Sequence, residues 1–152
     1  MAKKVLITGS SRGIGAAIAE ELHRLGYEVV LHGRVESQAL VNLAKKLDSE
    51  YLTFDVSNTA EAKKVLENFS ETNGALWGVV LNAGIADDGT FAGLSEAQWK
   101  SVVETNLNGF YNVLNPLIMP MARKKEGRIV VLSSVSGVMG NRGQSIYAAS
   151  KA

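Results

Sequence analysis

The sequence predicts an α/β chain built on a doubly wound parallel sheet, on two observations. Short apolar runs alternate with stretches of helical periodicity from one end of the chain to the other, the mark of a parallel sheet covered on both faces. The first apolar run also leads directly into the glycine-rich turn Gly9-Ser10-Ser11-Arg12-Gly13-Ile14-Gly15, and a helical pattern starts inside it.

In chain order, residues 3–8 (Lys-Lys-Val-Leu-Ile-Thr) form the first strand. Ile14, Ala17, Ile18, Glu21, Leu22 and Leu25 then recur at helix spacing, and Gly26 is the expected stop. Residues 28–33 form the second strand, closed by Arg34. A helix near 36–47, a strand at 51–54 and a helix opened by Ser57 follow, and the fourth strand covers about Leu76 to Leu81. Ser95-Glu96-Ala97-Gln98 is a capping box that starts a long helix toward Ala122. Pro116 and Pro120 fall late in that helix, where each removes a backbone donor and is expected to bend or end it. The fifth strand spans residues 128–132, and a last helix begins around Tyr147.

Strand, glycine turn and helix N-terminus together place backbone N–H groups and a positive dipole end against a pyrophosphate. Gly9 allows the tight turn, Gly13 the approach of the phosphate and Gly15 close helix–strand packing; the plain alternative is an ordinary glycine-rich βα turn. The end of the second strand selects between dinucleotides. A free ribose 2′-hydroxyl meets an Asp or Glu there, a 2′-phosphate an Arg. Arg34 and Arg12 are both cations able to bind a phosphate through two donors, and Glu36 competes from two residues further on, inside the expected helix. NADPH is therefore expected over NADH.

Tyr147 and Lys151, four residues apart, share one helix face. An ammonium beside a phenol favours the phenolate and brings it toward proton transfer. Ser134 stands just past the apolar run Ile129-Val130-Val131-Leu132, where it could hold the oxygen that receives the proton.

Thr8-Gly9-x-x-x-Gly13-x-Gly15, Asn82-Ala83-Gly84, Asn106, Ser134 and Tyr147-x-x-x-Lys151 resemble, in order and spacing, the short-chain dehydrogenase/reductase family over the whole chain. Ser10-Ser11-Arg12-Gly13-Ile14-Gly15, Asp55-Val56 and Gly137-Val138-Met139-Gly140-Asn141-x-Gly143-Gln144 bring the resemblance closest to the β-ketoacyl-acyl-carrier-protein reductases. The stretch Asn115-Pro116-Leu117-Ile118-Met119-Pro120-Met121 is similar to a branch of these in aryl-polyene pathways.

The resemblance implies a Rossmann-type fold and a set of roles. Tyr147 would be the general acid at the substrate carbonyl, Lys151 would lower its pKa and bind the nicotinamide ribose, and Ser134 would hold the carbonyl oxygen. Asn106 would hold a proton-relay water; otherwise it is a helix polar group satisfied by solvent. Gly9, Ser10, Ser11, Arg12, Gly13, Ile14, Gly15, Arg34, Asp55, Val56, Asn82, Ala83 and Gly84 would line the NADPH site with Tyr147 and Lys151. Asn82-Ala83-Gly84 would meet the adenosine ribose and the central strand, and Asp55-Val56 the adenine; as plain structure the first is a strand-to-loop turn and the second a helix cap. Arg123, Lys124, Lys125 and Arg128 form a basic cluster, either a solvated helix end or a docking patch for an acidic acyl carrier protein. A homotetramer is implied.

The expected function is thus NADPH-dependent reduction of a 3-oxoacyl thioester on an acyl carrier protein, in fatty acid or polyene-type synthesis. The alternatives are a non-catalytic NADP-binding fragment or interaction module, and the same chemistry on another ketone. Asp87-Asp88-Gly89 is expected as an exposed turn. His23 and His32, which lack metal-ligand spacing, are expected to be structural, and Trp77 and Trp99 to be packing residues.

Composition excludes more than it selects. Lys and Arg number 16 against 15 Asp and Glu, which leaves no field toward nucleic acid or an anionic membrane. Cysteine is absent, so there are neither disulfides nor thiolate metal sites, as suits a cytoplasmic protein. The apolar run after Lys3-Lys4 is too short for a signal-peptide core. A doubly wound dinucleotide fold has about six strands in the order 3-2-1-4-5-6, and the sequence supplies five. The expectation is a single domain over residues 1–152 whose carboxyl-terminal part, roughly another 100 residues, is missing, which leaves the fifth strand an open edge. A stable, monodisperse 152-residue monomer would count against it.

Overall fold

A computed structural model describes residues 3–152. Strands β1 (Lys4–Ile7), β2 (Glu28–Gly33), β3 (Tyr51–Thr53), β4 (Gly78–Leu81) and β5 (Arg128–Val131) form one sheet in the order β3-β2-β1-β4-β5. Every pairing is parallel. Helices α1 (Gly13–Arg24), α2 (Gln38–Leu47), α3 (Thr59–Asn73), α4 (Glu96–Val103) and α5 (Gly109–Lys124) cross between the strands, and the short α6 (Val135–Met139) and α7 (Ser145–Lys151) follow β5. This is an incomplete Rossmann-type α/β fold. No helix among the described residues is long and apolar enough to cross a membrane.

Alternating side chains of the inner strands feed two separate cores. Leu6, Val30, Val79 and Leu81 face α3 and α5, where they meet Leu66, Phe69, Val113, Leu117 and Met121. Val5, Ile7, Val29, Leu31 and Val80 face α1 and α2, against Ala19, Leu40, Leu43, Ala44 and Leu47. A β1 residue is covered whichever way it points, which is why the strand reads as an unbroken apolar run. Each fully buried Leu or Ile contributes on the order of 1.5–3 kcal/mol. On β5 all four residues are exposed and only β4 pairs with it, so it is a sheet edge among the described residues.

Several boundaries depart from the sequence expectation. In α1 the buried face is Gly15 and Ala19, while Ile14, Ala17 and Leu25 are exposed; the close seating of Gly15 on the turn rotates the inward face by one residue. Asn58, not Ser57, caps α3, with its Oδ1 accepting from the Glu61 N–H (3.2 Å). Glu36 lies before α2 rather than within it, because the Ser37 side chain caps that helix. The capping box at Ser95 and Gln98 forms as expected. The helix it opens, however, is interrupted at Glu104–Asn108 by a π-helical turn, a device that re-aims one side chain. Pro116 and Pro120 do not end α5, which continues to Lys124. The buried stripe Asn112, Val113, Leu117 and Met121 holds it against the sheet and outweighs the two missing donors.

The glycine turn is pressed onto the end of β4. Gly9 has φ +66°, and a Cβ there would lie 3.0 Å from the Ala83 Cα. A Cβ on Gly15 would collide with the Gly9 carbonyl and the Asn82 amide nitrogen. Gly15→Ala therefore has to push the turn off the sheet. It is expected to lower stability by about 1–3 kcal/mol, read as a lower urea midpoint at unchanged m-value.

Candidate functional site

The carboxyl ends of β1, β4 and β5 converge where a parallel sheet binds its ligands. Thr8 and Asn82 join the first two. The Thr8 Oγ1 accepts the backbone N–H groups of Asn82 (3.0 Å) and Ala83 (3.0 Å) and donates to the Val80 carbonyl (3.3 Å). The Asn82 Nδ2 donates to the carbonyls of Thr8 (2.9 Å) and Gly9 (3.1 Å). Both amide protons of Asn82 thus serve the central strand and the turn. Ala83 is half-buried on that joint, and Gly84 is exposed beyond it.

Within the turn, Ser10 faces inward: it is fully buried, and its Oγ accepts the His32 N–H (2.8 Å). Ser11 is half-buried, and Arg12, Gly13 and Ile14 are exposed at the mouth, Ile14 at 65%. A Cβ on Gly13 would meet nothing within 4 Å, so space is open where α1 presents its N–H groups. This is a cradle that fits a pyrophosphate.

Arg34 is exposed just beyond β2. Asp55, past the end of β3, does not cap α3. Its Oδ1 accepts from the Ser57 N–H (2.9 Å) and Oγ (2.7 Å). Partial burial alone would raise the Asp55 pKa, but those bonds and the nearby Arg34 guanidinium bring it below the ordinary carboxylate range. Val56 is buried, and its carbonyl accepts from the Asn112 Nδ2 (2.9 Å). Glu36 is engaged by the Tyr51 hydroxyl, which donates to its Oε2 (2.8 Å).

The candidate catalytic residues come from three segments. Ser134 caps α6; its Oγ accepts from the Ser136 N–H (3.2 Å), which leaves the hydroxyl proton to donate elsewhere. Tyr147, half-buried, and Lys151 lie on α7. The Lys151 Nζ donates to the Leu132 carbonyl (2.9 Å), and burial lowers its pKa from the ordinary ammonium value. Asn106, carried inward by the π turn, is not a solvated helix polar group. Its Nδ2 donates to the Ile85 carbonyl (2.9 Å) and to the Ser150 Oγ (2.9 Å), and its Oδ1 accepts the Ile85 N–H (2.8 Å). A Cβ on Gly84 would sit 3.2 Å from the Asn106 Oδ1 and 3.3 Å from the Lys151 Nζ, so Gly84 is where these two groups approach each other. Beside them lies a largely apolar cavity of about 230 Å³, walled in part by Thr8, Ala83, Asn106, Leu132 and Lys151.

Other residues support this arrangement without standing out in sequence. Asp87 and Asp88 are engaged: the first accepts from the Gln98 Nε2 (2.8 Å), the second from the Gln144 Nε2 (2.9 Å). The Gln144 Oε1 in turn accepts from Ser136 (2.9 Å) and Asn141 (3.0 Å), so that this one side chain ties α6 and the segment before α7 to the loop after β4 that carries Asp88. Trp77 stacks on Tyr27, as a packing residue does, whereas Trp99 remains 40% exposed and makes an edge contact with Phe91.

The basic cluster lies elsewhere. Arg123 and Lys124 end α5 and Arg128 begins β5, so the patch is at the amino-terminal edge of the sheet. Lys124 donates to the Ala75 carbonyl (3.1 Å), Arg128 lies over the Trp77 ring (6.0 Å) and donates to the Gly127 carbonyl (2.7 Å), and Arg123 and Lys125 are exposed.

His32 is 2% exposed. Its Nδ1 accepts the Gly9 N–H (3.0 Å), and its Nε2 lies 3.0 Å from the Phe54 carbonyl. Burial, outweighing the bond to Phe54 and the pull of Asp55, lowers its pKa to about 4. Because the folded value is below the unfolded one near 6.5, the unfolded chain takes up the proton first. The stabilisation is therefore complete above pH 6.5 and is lost as pH falls toward 4. Between pH 7.5 and 5, His32 is expected to remove about 2 kcal/mol of unfolding free energy. Denaturant titrations of wild type and His32→Gln at both pH values check this, because the variant should lack that increment.

The short chain dehydrogenase family profile matches residues 3–152. Among curated proteins, the chain is 49% identical over 158 residues to the 3-oxoacyl-acyl-carrier-protein reductase FabG of Aggregatibacter actinomycetemcomitans, covering 100% of this chain and 65% of that protein. It is 42% identical to nodulation protein G of Rhizobium sp. (strain N33), covering 99% and 62%. With the Staphylococcus aureus FabG of the same description the identity is 37%, covering 100% and 64%. The chain thus spans just under two thirds of the length of these relatives.

Proposed function

This chain belongs to the short chain dehydrogenase family, and from that premise we propose that it carries out NADPH-dependent reduction of a 3-oxoacyl thioester, borne on an acyl carrier protein, to the 3-hydroxyacyl thioester. The observation that carries the reading is the approach of Asn106 and Lys151 to each other at Gly84, with Tyr147 on the same helix as Lys151. The 49% identity to a reductase of that description supports the substrate class.

NADPH, when bound, supplies the hydride. The N–H groups of residues 11–15 would hold its pyrophosphate, with Arg12 and Arg34 on the 2′-phosphate. Glu36, the residue that would favour NADH, is occupied by Tyr51. Tyr147 gives its phenolic proton to the substrate oxygen as that oxygen gains charge. The Ser134 hydroxyl, its proton free, donates to the same oxygen. An ammonium carries three donors; Leu132 takes one from Lys151, which leaves two, with which Lys151 would bind the nicotinamide ribose. Both N–H groups of Asn106 are spent and one Oδ1 lone pair remains, from which it would hold a water relaying protons toward Lys151. We place this work in the cytoplasm, in a homotetramer. Fatty acid synthesis fits the relatives' description, and a polyene-type pathway is the narrower assignment.

NADPH oxidation with a β-ketoacyl thioester tests the reading, run on the full-length protein beside Tyr147→Phe. Turnover is expected in the wild type and a loss of about 10²–10⁴-fold in the variant. A folded wild-type protein that binds NADPH without turnover would favour a cofactor-binding module instead. Turnover confined to a different ketone would keep the chemistry and replace the substrate.

The carrier would dock at Arg123, Lys124, Lys125 and Arg128. Because that patch lies at the opposite sheet edge from Ser134, the acyl arm must reach around the sheet or into a neighbouring subunit. Lys125→Glu is expected to raise KM for the carrier-bound substrate and leave KM for a small thioester analogue unchanged; equal changes in both would remove the docking assignment.

A further inference from the structure

We infer that His32 is a positioning residue for the dinucleotide: through its side chain and its backbone it locks the glycine turn to the strand ends that carry Arg34 and Asp55. The inference rests on the cofactor reading above and goes beyond it, because no substrate or cofactor atom need touch the imidazole.

The bonding of residue 32 is nearly saturated by the turn. The backbone N–H of His32 donates to the Ser10 Oγ (2.8 Å), its carbonyl accepts the Ser10 N–H (2.9 Å), and its Nδ1 accepts the Gly9 N–H (3.0 Å). On the other side of the ring, the Nε2 faces the Phe54 carbonyl at 3.0 Å. A carbonyl can only accept, so the proton sits on Nε2 and Nδ1 is the acceptor. The Phe54 ring packs against the imidazole, with centroids 4.2 Å apart. One neutral tautomer therefore spans three segments: the turn after β1, the end of β2 two residues before Arg34, and the end of β3 one residue before Asp55.

The consequence concerns which donors remain. Gly9 and Ser10 spend their N–H groups inward on residue 32, so the anion-binding donors are those further along the turn and at the start of α1, where helix geometry supplies no partner. Holding Gly9 fixed also holds the direction in which those donors point, before any ligand arrives. An imidazolium would defeat this, because its Nδ1–H would oppose the Gly9 N–H. Burial keeps the ring neutral at pH 7. An apolar side chain of similar size would leave the Gly9 N–H and the Phe54 carbonyl without their partner and release the turn from β3.

The test titrates NADPH into the full-length protein by cofactor fluorescence, with steady-state kinetics alongside, for wild type, His32→Leu and His32→Asn. Losing one such hydrogen bond from a preorganised site is expected to weaken NADPH binding about tenfold in His32→Leu, with KM for NADPH rising more than kcat falls. His32→Asn, whose Oδ1 can accept from Gly9, is expected to bind closer to wild type. A folded His32→Leu with wild-type affinity overturns the proposal. Should the leucine variant not fold, nitrogen NMR of wild-type His32 decides: a neutral Nε2–H imidazole whose Nδ1 already accepts a hydrogen bond before NADPH is added supports the role, and a charged ring, an Nδ1–H ring or an Nδ1 bond that forms only with NADPH overturns it. A wild-type protein that binds neither NADPH nor NADH overturns the cofactor reading itself and this proposal with it, whereas intact wild-type binding beside an unaffected variant removes only this proposal.

Discussion

The binding edge of this protein depends on how closely the turn after β1 presses against the segment after β4. Gly9 and Gly15 make that approach possible, since a Cβ on either would meet Ala83, Asn82 or the turn's own backbone. Thr8 and Asn82 then fasten it with five hydrogen bonds across the two segments. Buried bonds of this kind are worth little net while made, but leaving their groups unpaired is costly, so the joint has one arrangement rather than several. With the turn fixed, the first N–H groups of α1 are aimed outward and the end of β4 is held beside them.

The same constraint extends to either side. Toward β2 and β3, His32 carries it to the strand ends where Arg34 and Asp55 stand. Toward β5, the Gly84 backbone lies close to Asn106 and Lys151, and Asn106 binds both Ile85, in the loop after β4, and Ser150, on α7. The π turn at Glu104–Asn108 makes this reach possible. The glycine turn and the Asn106–Lys151 pair, far apart in sequence, thus share one support.

Much of this was legible in the residues. The apolar runs separated by helical periods pointed to five parallel strands, because a strand buried on both faces has no polar side to show. The glycine spacing marked the turn, and Ser95 with Gln98 marked a helix start that formed as read. Misreadings came where local pattern and tertiary seating disagreed. Ile14 fits a helical stripe but lies outside, since Gly15 takes the inward position. Pro116 and Pro120 are expected to bend or end the helix; they do not end it, and α5 passes through both with its buried stripe held to the sheet. Asp87 and Asp88 are expected in an exposed turn; Asp88 is exposed and Asp87 partly buried, and the two hold Gln98 and Gln144, partners 11 and 56 residues away in sequence. His32, lacking metal-ligand spacing, reads as structural, and its burial and its bonds to Gly9 and Phe54 agree; its place at the end of a strand beside the turn is the only sequence hint of its reach.

By itself, the sequence determined the α/β class, the strand sequence, the glycine turn and the residue types able to move a proton. These follow from short-range rules: side-chain period, backbone freedom and the chemistry of single groups. Only the tertiary structure decided which donors are spent and which remain free. It turned Ser10 inward, engaged Glu36 with Tyr51, gave Lys151 to the Leu132 carbonyl and left Asn106 one lone pair. Those outcomes depend on partners brought together from distant parts of the chain, and hydrogen-bond capacity is a property of the assembled neighbourhood, not of the residue.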